Sequence, residues 1–546
     1  MRFARSVLSL SLAASLLTLP ALAAPNPPNE DVANHKVRHV LLISVDGFHA
    51  LDLTNYVASH PNSTLASLTH HGITYTNNFS SQPSDSFPGL AALVTGGSQI
   101  TTGFWYDDTY NRSLSPPLMT DGLGDPGGPC PGQIGTIVAL DESIDLNLQA
   151  LDGGGGLNPN FLVRDPNHNC AFLFPHQLLR VNTIFEVVKS HGGRTAWTDK
   201  HPSYEWTNGP SGKGVDDFFG PEINSNTQPL NFPGCNPEPF EDRVPDDGWT
   251  QSFGDIQCYD QIHVQAVLNE IDGLTHDGSA KVGVPAVFGT NFQAVSVGEK
   301  LHMDPVLHIP GGYLDTLGTP GPGLSMELDF IDHSLGRFVS ELKKKGILDS
   351  TLIIVGAKHG QSPIDLTKRQ GIGGSQPGTA INNKFPGADV FDISDDGSLI
   401  WLSNPDLTSD VVAFLGDPAT QQLLGIQEIF ALNSLSEKFN VPGTGPGEDP
   451  RTPDIVLKVN TGVIFTGGSK VAEHGGLNED DTHVALLVSL PSFKEAHVKT
   501  PTTNQQVAAS ILQALGIDPN ELQAVKKEQI TPLPFLFSDH DDHNDE

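Results

Sequence analysis

The sequence predicts an α/β protein: a three-layer sandwich with a large, mostly parallel central sheet, covered on both faces by helices and interrupted by loop-rich insertions. Three observations carry that expectation. Short apolar runs without polar alternation recur along the chain, as in strands buried on both faces. Stretches of helical periodicity lie between them, the pattern of strand–helix–strand crossovers. Residues able to carry chemistry stand where those strands end, at the edge where open α/β sheets place their sites.

The chain begins Met1-Arg2-Phe3-Ala4-Arg5, followed by an apolar stretch from Val7 to Leu22 that ends Ala21-Leu22-Ala23. A basic start, a short apolar core and a small-residue cleavage pattern read as a secretory signal peptide over 1–24. A signal anchor is the weaker reading, because the apolar run is short and prolines follow at once. The protein is therefore expected to be secreted, and no other stretch is long and apolar enough to span a membrane.

The first strand lies in Arg38–Leu51, where Val40-Leu41-Leu42-Ile43 leads through Ser44 and Val45 into Asp46-Gly47. Asp46 then stands at the carboxyl end of a buried strand, where a carboxylate must be solvated, paired or bound to metal. Asn62–His71 reads as a short helix, and the turn at His71-Gly72 leads into a second strand through Tyr75. Ser84-Asp-Ser-Phe-Pro-Gly89 opens a further helix through Thr95. Pro88 suits its first turn, which places Ser86 at the helix N-terminus beside unpaired N–H groups.

Residues 112–175 are rich in Gly, Pro and Asp, include the run Gly153–Gly156, and read as an insertion. Thr183-Ile-Phe-Glu186 is a capping box opening a helix that ends near Gly192. Arg194–Thr198 is the next strand, followed by Asp199-Lys200-His201-Pro202; residues 205–275 read as a second insertion. Val284–Phe292 is another buried strand. The clearest helix is Leu324–Lys345, with Leu324, Leu328, Ile331, Leu335, Phe338 and Leu342 on one stripe. Three lysines close its last turn and Gly346 ends it. Thr351–Val355 is a strand running into Lys358-His359-Gly360. Strands at Leu399–Leu402, Ile455–Val459 and Val484–Val488 and a helix at Gln505–Leu515 complete a main domain over 25–535. The acidic end, 536–546, reads as a solvated, disordered tail despite its histidines.

A hydrophobic content of 37% allows a substantial core, and 56 glycines with 42 prolines imply long ordered loops. The formal charge of −34 opposes binding of a nucleic-acid polymer through a basic face. A small anionic substrate remains compatible with it where a local cation overrides the general field. Oligomeric state is left open. The cysteines are Cys130, Cys170, Cys235 and Cys258. In an oxidising compartment they pair, and spacing favours Cys130–Cys170 with Cys235–Cys258 among three possible pairings. Zinc binding by the four is the weaker reading, as no C-x-x-C pair exists. Asn62, Asn78 and Asn111 stand in N-glycosylation sequons.

Asp46, Ser86 and His359 share one context, each at or just beyond a strand end or at the helix start beside it. His474, in Glu473-His-Gly-Gly476, lies in a turn shortly before the strand at Val484. Carboxylate, hydroxyl and imidazole are suited to bind zinc or to form an activated nucleophile. A metal beside Ser86 would lower the hydroxyl pKa, and the helix N-terminus would favour a docked phosphoryl group. Singly, each has a plain alternative as a loop cap, a helix N-cap or a buried hydrogen-bonding histidine; the shared position favours chemistry.

The blocks ISVDG (43–47), SFPG (86–89) with VTGG (94–97), IIVGAKHG (353–360) and EHGG followed by HVALLVS resemble the type I phosphodiesterase/nucleotide pyrophosphatase branch of the alkaline phosphatase superfamily, over about residues 38 to 490. The resemblance implies an alkaline phosphatase-like sandwich and hydrolysis of phosphoric esters by a Thr or Ser nucleophile with two zinc ions. It puts Ser86 at the nucleophile position, Asp46 and His359 among the ligands of the activating metal, and His474 among those of the other. Departures are visible too. Lys358 stands where the family has a carboxylate ligand. The family's Asp-x-x-Gly-His should follow Phe292, but the chain reads Gln293-Ala-Val-Ser-Val-Gly-Glu-Lys300, with Glu299 in register for the histidine. Asp107 falls where the family has an oxyanion-supporting Asn.

The expectation is thus a secreted, glycosylated, metal-dependent hydrolase of phosphoric esters. It holds one or two divalent ions, zinc by preference, and acts on a small anionic phosphoester. Asp46, Ser86, His359 and His474 are its metal ligands, and Ser86 and Lys358 its catalytic groups, with Lys358 supplying fixed positive charge. Lys200 and His201 either join the site or form a surface turn. The alternatives are a catalytically silent binding or scaffold protein on the same fold, and a sulfatase- or phosphonate-directed hydrolase.

Overall fold

The computed structural model describes residues 37–120, 127–225, 248–373, 376–440, 449–466 and 468–537. The expected signal peptide, Cys235 with its expected bond to Cys258, and the acidic tail beyond Phe537 lie outside the described residues.

The central sheet has eight strands: β1 (His39–Val45), β2 (Gly72–Tyr75), β3 (Ala196–Thr198), β4 (Asp217–Phe219), β5 (Val287–Phe292), β6 (Thr351–Gly356), β7 (Leu486–Ser489) and β8 (Ala496–Val498). Their order is β8-β2-β7-β6-β1-β5-β3-β4. Strands β6, β1, β5, β3 and β4 run parallel to one another, as do β8 and β2, while β7 is antiparallel to both neighbours. The apolar run in β1 is explained by its place at the middle. Val40 and Leu42 enter the core on one face, Leu41 and Ile43 the core on the other, so no position is left for a polar residue.

Helices cover both faces. They are α1 (Ala50–Ser59), α2 (Thr64–His70), α3 (Ser86–Thr95), α4 (Ile184–Ser190), α5 (Phe253–Ile271), α6 (Ala294–Lys300), α7 (Pro322–Lys345) and α8 (Gln505–Ala514). Apolar residues of α3, α4 and α8 fill the core beside Val40; those of α1, α2, α5, α6 and α7 fill the other. The six-residue stripe of α7 is buried as its spacing predicts, and Gly346 closes the helix in the left-handed conformation. The capping box at Thr183 is present, with Thr183 Oγ1 accepting from the Glu186 N–H.

Three expectations change. Residues 205–275, read as a loop-rich insertion, contain the central strand β4 and the 19-residue helix α5, whose apolar residues enter the core. Gly397–Leu402 and Ile455–Val459 form strands, but they belong to a separate four-stranded antiparallel sheet with Asp389–Ser394 and Ile426–Ala431. A buried apolar run reports burial and says nothing about which sheet accepts it. Of the sequons, Asn62 is exposed, whereas Asn78 is buried and donates to Asn504 Oδ1 at 3.0 Å. Asn111 is also buried, with its side-chain oxygen bonded to Ser113. A sequon specifies residue types, not exposure. In the insertion at 112–175, a disulfide joins Cys130 and Cys170, their Cα atoms 6.0 Å apart.

Candidate active site

The strand register assembles the site. Ser44 lies beside both Asn291 and Gly356, and Thr290 lies beside Thr198. The residues that follow these strands therefore emerge together: Asp46 after β1, Gln293 after β5, Lys358 and His359 after β6, Asp199 and Lys200 after β3. Two backbone bonds tie the edge, from Asp46 N–H to Phe292 O and from Gly47 N–H to His359 O. Helix α3 brings Ser86 to the same edge as its first residue. Asp85 caps that helix by accepting from the Phe87 N–H, which aims the first turn of N–H groups at the site.

Ser86 is 2% exposed. Its Oγ lies 3.1 Å from His359 Nε2, 3.4 Å from Asp46 Oδ2 and 3.0 Å from Lys200 Nζ. Lys200 also reaches Asp46 Oδ2 at 3.4 Å, and the Gln293 amide donates to that oxygen at 2.6 Å. His359 Nδ1 is 2.9 Å from the Gly360 carbonyl. A carbonyl only accepts, so the ring proton is assigned to Nδ1 and the Nε2 lone pair faces Ser86. His474 stacks on His359 with ring centroids 4.0 Å apart, and its buried Nδ1 has no hydrogen-bond partner. Asp46, Ser86, His359 and His474 thus meet in one place.

The electrostatics follow from burial set against pairing. Burial alone would raise the Asp46 carboxyl, but the ammonium groups of Lys358 and Lys200 hold it well below the usual carboxylate range. Burial would likewise lower Lys200, but Asp46 and Asp199 outweigh it and raise the ammonium. Burial is the largest cause lowering Lys358, His359 and His474, so both imidazoles are held neutral. Lys358 is turned away from Ser86: its Nζ donates to Asp199 Oδ1 at 2.8 Å and lies 4.2 Å from the centre of the Tyr204 ring. The ammonium in contact with the serine belongs to Lys200.

Other singled-out residues divide. Asp107 lies near Asp85, and burial followed by that charge raises its carboxyl well above the usual range, favouring the protonated form. Glu299 does not face Ser86: it bonds Tyr313 at 2.7 Å and Gln361 at 2.5 Å, and its Oε1 is 3.1 Å from His49 Nδ1. His201 turns its Nδ1 to Glu222, 2.9 Å from both oxygens. Gln293, Asp85 and Asp199 were not predicted as site residues, although Gln293 and Asp199 directly follow predicted strands and Asp85 precedes a predicted helix. A cavity of about 530 Å³ is lined by His49, Thr54, Lys368 and His483 and does not include Ser86.

For one divalent cation the donor set fits. A carboxylate, a hydroxyl and an imidazole lone pair stand within 3.5 Å of one another, and Asp46 Oδ1 is buried without a partner. The Lys200 ammonium competes for the same two oxygens. For a second ion the set does not fit, because the remaining positions hold the Gln293 amide, the Lys358 ammonium and His474 alone.

A mostly parallel sheet with a serine at a helix start, facing a carboxylate and an imidazole from neighbouring strand ends, defines an alkaline phosphatase-like α/β scaffold. The profile of the family "type I phosphodiesterase / nucleotide pyrophosphatase" matches residues 40–125 and 304–484. That match, over just under half of the chain, and the fold are consistent with a divergent alkaline phosphatase superfamily member. Murine ectonucleotide pyrophosphatase / phosphodiesterase 5 (ENPP5, NPP5) has a similar fold, with TM-score 0.51 and 13% identity over 88% of this chain and 96% of that one. An inactive variant of the same murine protein in complex with AMP matches equally well. Alkaline phosphatase PafA gives TM-score 0.56 and 12% identity over 89% of this chain and 96% of its own. No curated protein sequence matches. Family and fold indicate a phosphodiesterase- or pyrophosphatase-type hydrolase. The family type is metal-dependent, and two groups of candidate ligands occur among the described residues, His49–Asp52–Glu299 and Glu142–His201–Glu222. No helix among the described residues is long and apolar enough to cross a membrane.

Proposed function

We propose that this chain hydrolyses small anionic phosphoric esters with Ser86 as the nucleophile. The observation that carries the reading is the Ser86 hydroxyl set between the His359 lone pair at 3.1 Å and the Lys200 ammonium at 3.0 Å. His359 Nε2 accepts the hydroxyl proton as Oγ bonds to phosphorus in line with the departing oxygen. The P–O bond to the leaving group breaks, and that oxygen takes the proton from His359. Lys200 and the N–H groups at the start of α3 stabilise the charge gathered on the phosphoryl oxygens. Water then attacks the phospho-seryl intermediate and restores Ser86. A divalent cation held by Asp46, Ser86 and His359, zinc by the chemistry of these donors, would occupy the His359 lone pair and would itself lower the hydroxyl pKa, in place of His359 as the base. Lys358 acts through Asp199 and through the field at Asp46 rather than by contact. The Cys130–Cys170 disulfide favours a secreted protein, with Asn62 as its glycan acceptor.

The scaffold reading draws on the burial of Ser86 and on Lys358 in a carboxylate's place. Turnover of an aryl phosphate diester, measured alongside metal content for wild type and Ser86→Ala, separates the two. We expect the substitution to lower the rate at least about 10³-fold. Unchanged turnover in Ser86→Ala would refute the nucleophile, and metal-free, inactive wild type would support the scaffold.

A further inference from the structure

We propose that Glu142, Asp145, His201 and Glu222 form a separate divalent-cation site, for Mn²⁺ or Zn²⁺, behind the loop that carries Lys200. Glu142, His201 and Glu222 each offer a ligand atom, and the three atoms lie within 4.8 Å of one another. The independent observation is Asp145. It is 3% exposed, no cation or N–H group meets its carboxylate oxygens, and the groups it lies against are the acids Glu222, with which it shares a hydrogen bond, and Glu142. Asp141 adds a further negative charge nearby, and the neighbouring ammonium of Lys200 is directed at Ser86 and Asp46.

Buried carboxylates without a compensating cation are costly. Burial is the largest cause raising the carboxyls of Glu142, Asp145 and Glu222. It also lowers His201, leaving a neutral imidazole of the kind metals bind. One imidazole among carboxylates suits Mn²⁺ or Zn²⁺ better than the all-oxygen shell of Ca²⁺. The other candidate group is closed by its own bonds: His49 Nδ1 meets Asp52, Glu299 and Tyr313, and Tyr313 bonds both carboxylates. No orphaned atom remains there.

The proposed site joins three parts of the chain. Glu142 and Asp145 belong to the 112–175 insertion, His201 to the loop after β3, and Glu222 to the segment after β4. An ion there would pin the insertion to the loop that presents Lys200. The site itself does not depend on the role of Ser86.

The test uses full-length protein stripped with chelator, then equilibrated with Mn²⁺ or Zn²⁺ alone, with bound metal and melting temperature both measured. Wild type is compared with Asp46→Ala, which removes a ligand of the Ser86 centre, and with Glu222→Gln and Glu142→Gln. We expect Asp46→Ala to keep about one equivalent and the metal-dependent rise in melting temperature. Each Gln variant should bind that equivalent at least tenfold more weakly; Glu142, only partly buried, gives a second chance if Glu222→Gln does not fold. The proposal is overturned if Asp46→Ala loses all bound metal, if both Gln variants retain it, or if wild type binds neither ion.

Discussion

Lys200 holds its ammonium against the Ser86 hydroxyl, whereas Lys358 is committed to Asp199. The two lysines should therefore fail in different ways. Lys200→Met removes charge stabilisation at the reacting centre and is expected to lower kcat about 10²–10³-fold with a smaller change in KM. Lys358→Met strands a buried carboxylate and is expected to cost about 3–5 kcal/mol of stability. Steady-state kinetics and denaturant unfolding of both variants check this, and the opposite pattern would reverse their roles. Asp46, Ser86 and His359 were legible from their positions at element ends. Lys200 looked equally like a surface turn, because the direction of its side chain is set by Asp46, 154 residues away. Gln293 was unreadable as a partner of Asp46 for the same reason.

Helix α3 carries Ser86 to the site only because it packs unusually close to the β6 loop. A Cβ on Gly89 would stand 2.2 Å from the Lys358 carbonyl oxygen, so the glycine permits the contact of helix and loop. Gly89→Ala is expected to destabilise the protein by about 1–3 kcal/mol through overpacking. It should also reduce turnover by pushing Ser86 away from His359. Thermal melting and activity measured together test this, and wild-type values for both would show that the neighbouring backbone yields freely. At this scale the periodic signals were dependable for α7 and most central strands, whereas β4 and α5 fall in 205–275, which its composition marked as an insertion, and β8 is too short to show a pattern. The strands at 397–402 and 455–459 were found but assigned to the wrong sheet, since pairing partners are not encoded in a strand's own residues.

Across the whole molecule, buried carboxyls dominate the response to pH. Burial is the first cause raising Glu142 to about 7 and Glu222, Glu270 and Asp481 to about 8. A folded carboxyl pKa above the unfolded value of about 4 means the native state binds more protons between the two. That stability is present below the unfolded pKa and is lost as pH rises through the folded values. His201 and His263 act oppositely: burial lowers them to about 4 and about 3, so their contribution is complete above about 6.5 and is lost as pH falls. The formal charge of −34 adds repulsion as these acids ionise. Metal-stripped protein is expected to melt at a lower temperature at pH 9 than at pH 6 by scanning calorimetry. A higher melting temperature at pH 9 would contradict the balance.

The amino-acid sequence by itself determined the α/β class, the positions of α7, α8 and most central strands, and the residue types at their ends. Those properties depend on spacing within a few residues, through periodicity, capping and turn chemistry. Only the tertiary structure decided that Lys200 rather than Lys358 touches Ser86, that Gln293 binds Asp46, and that four acids converge around His201. These outcomes depend on which strand ends are neighbours and on which charge each buried group finds there, and both are set by contacts between distant parts of the chain.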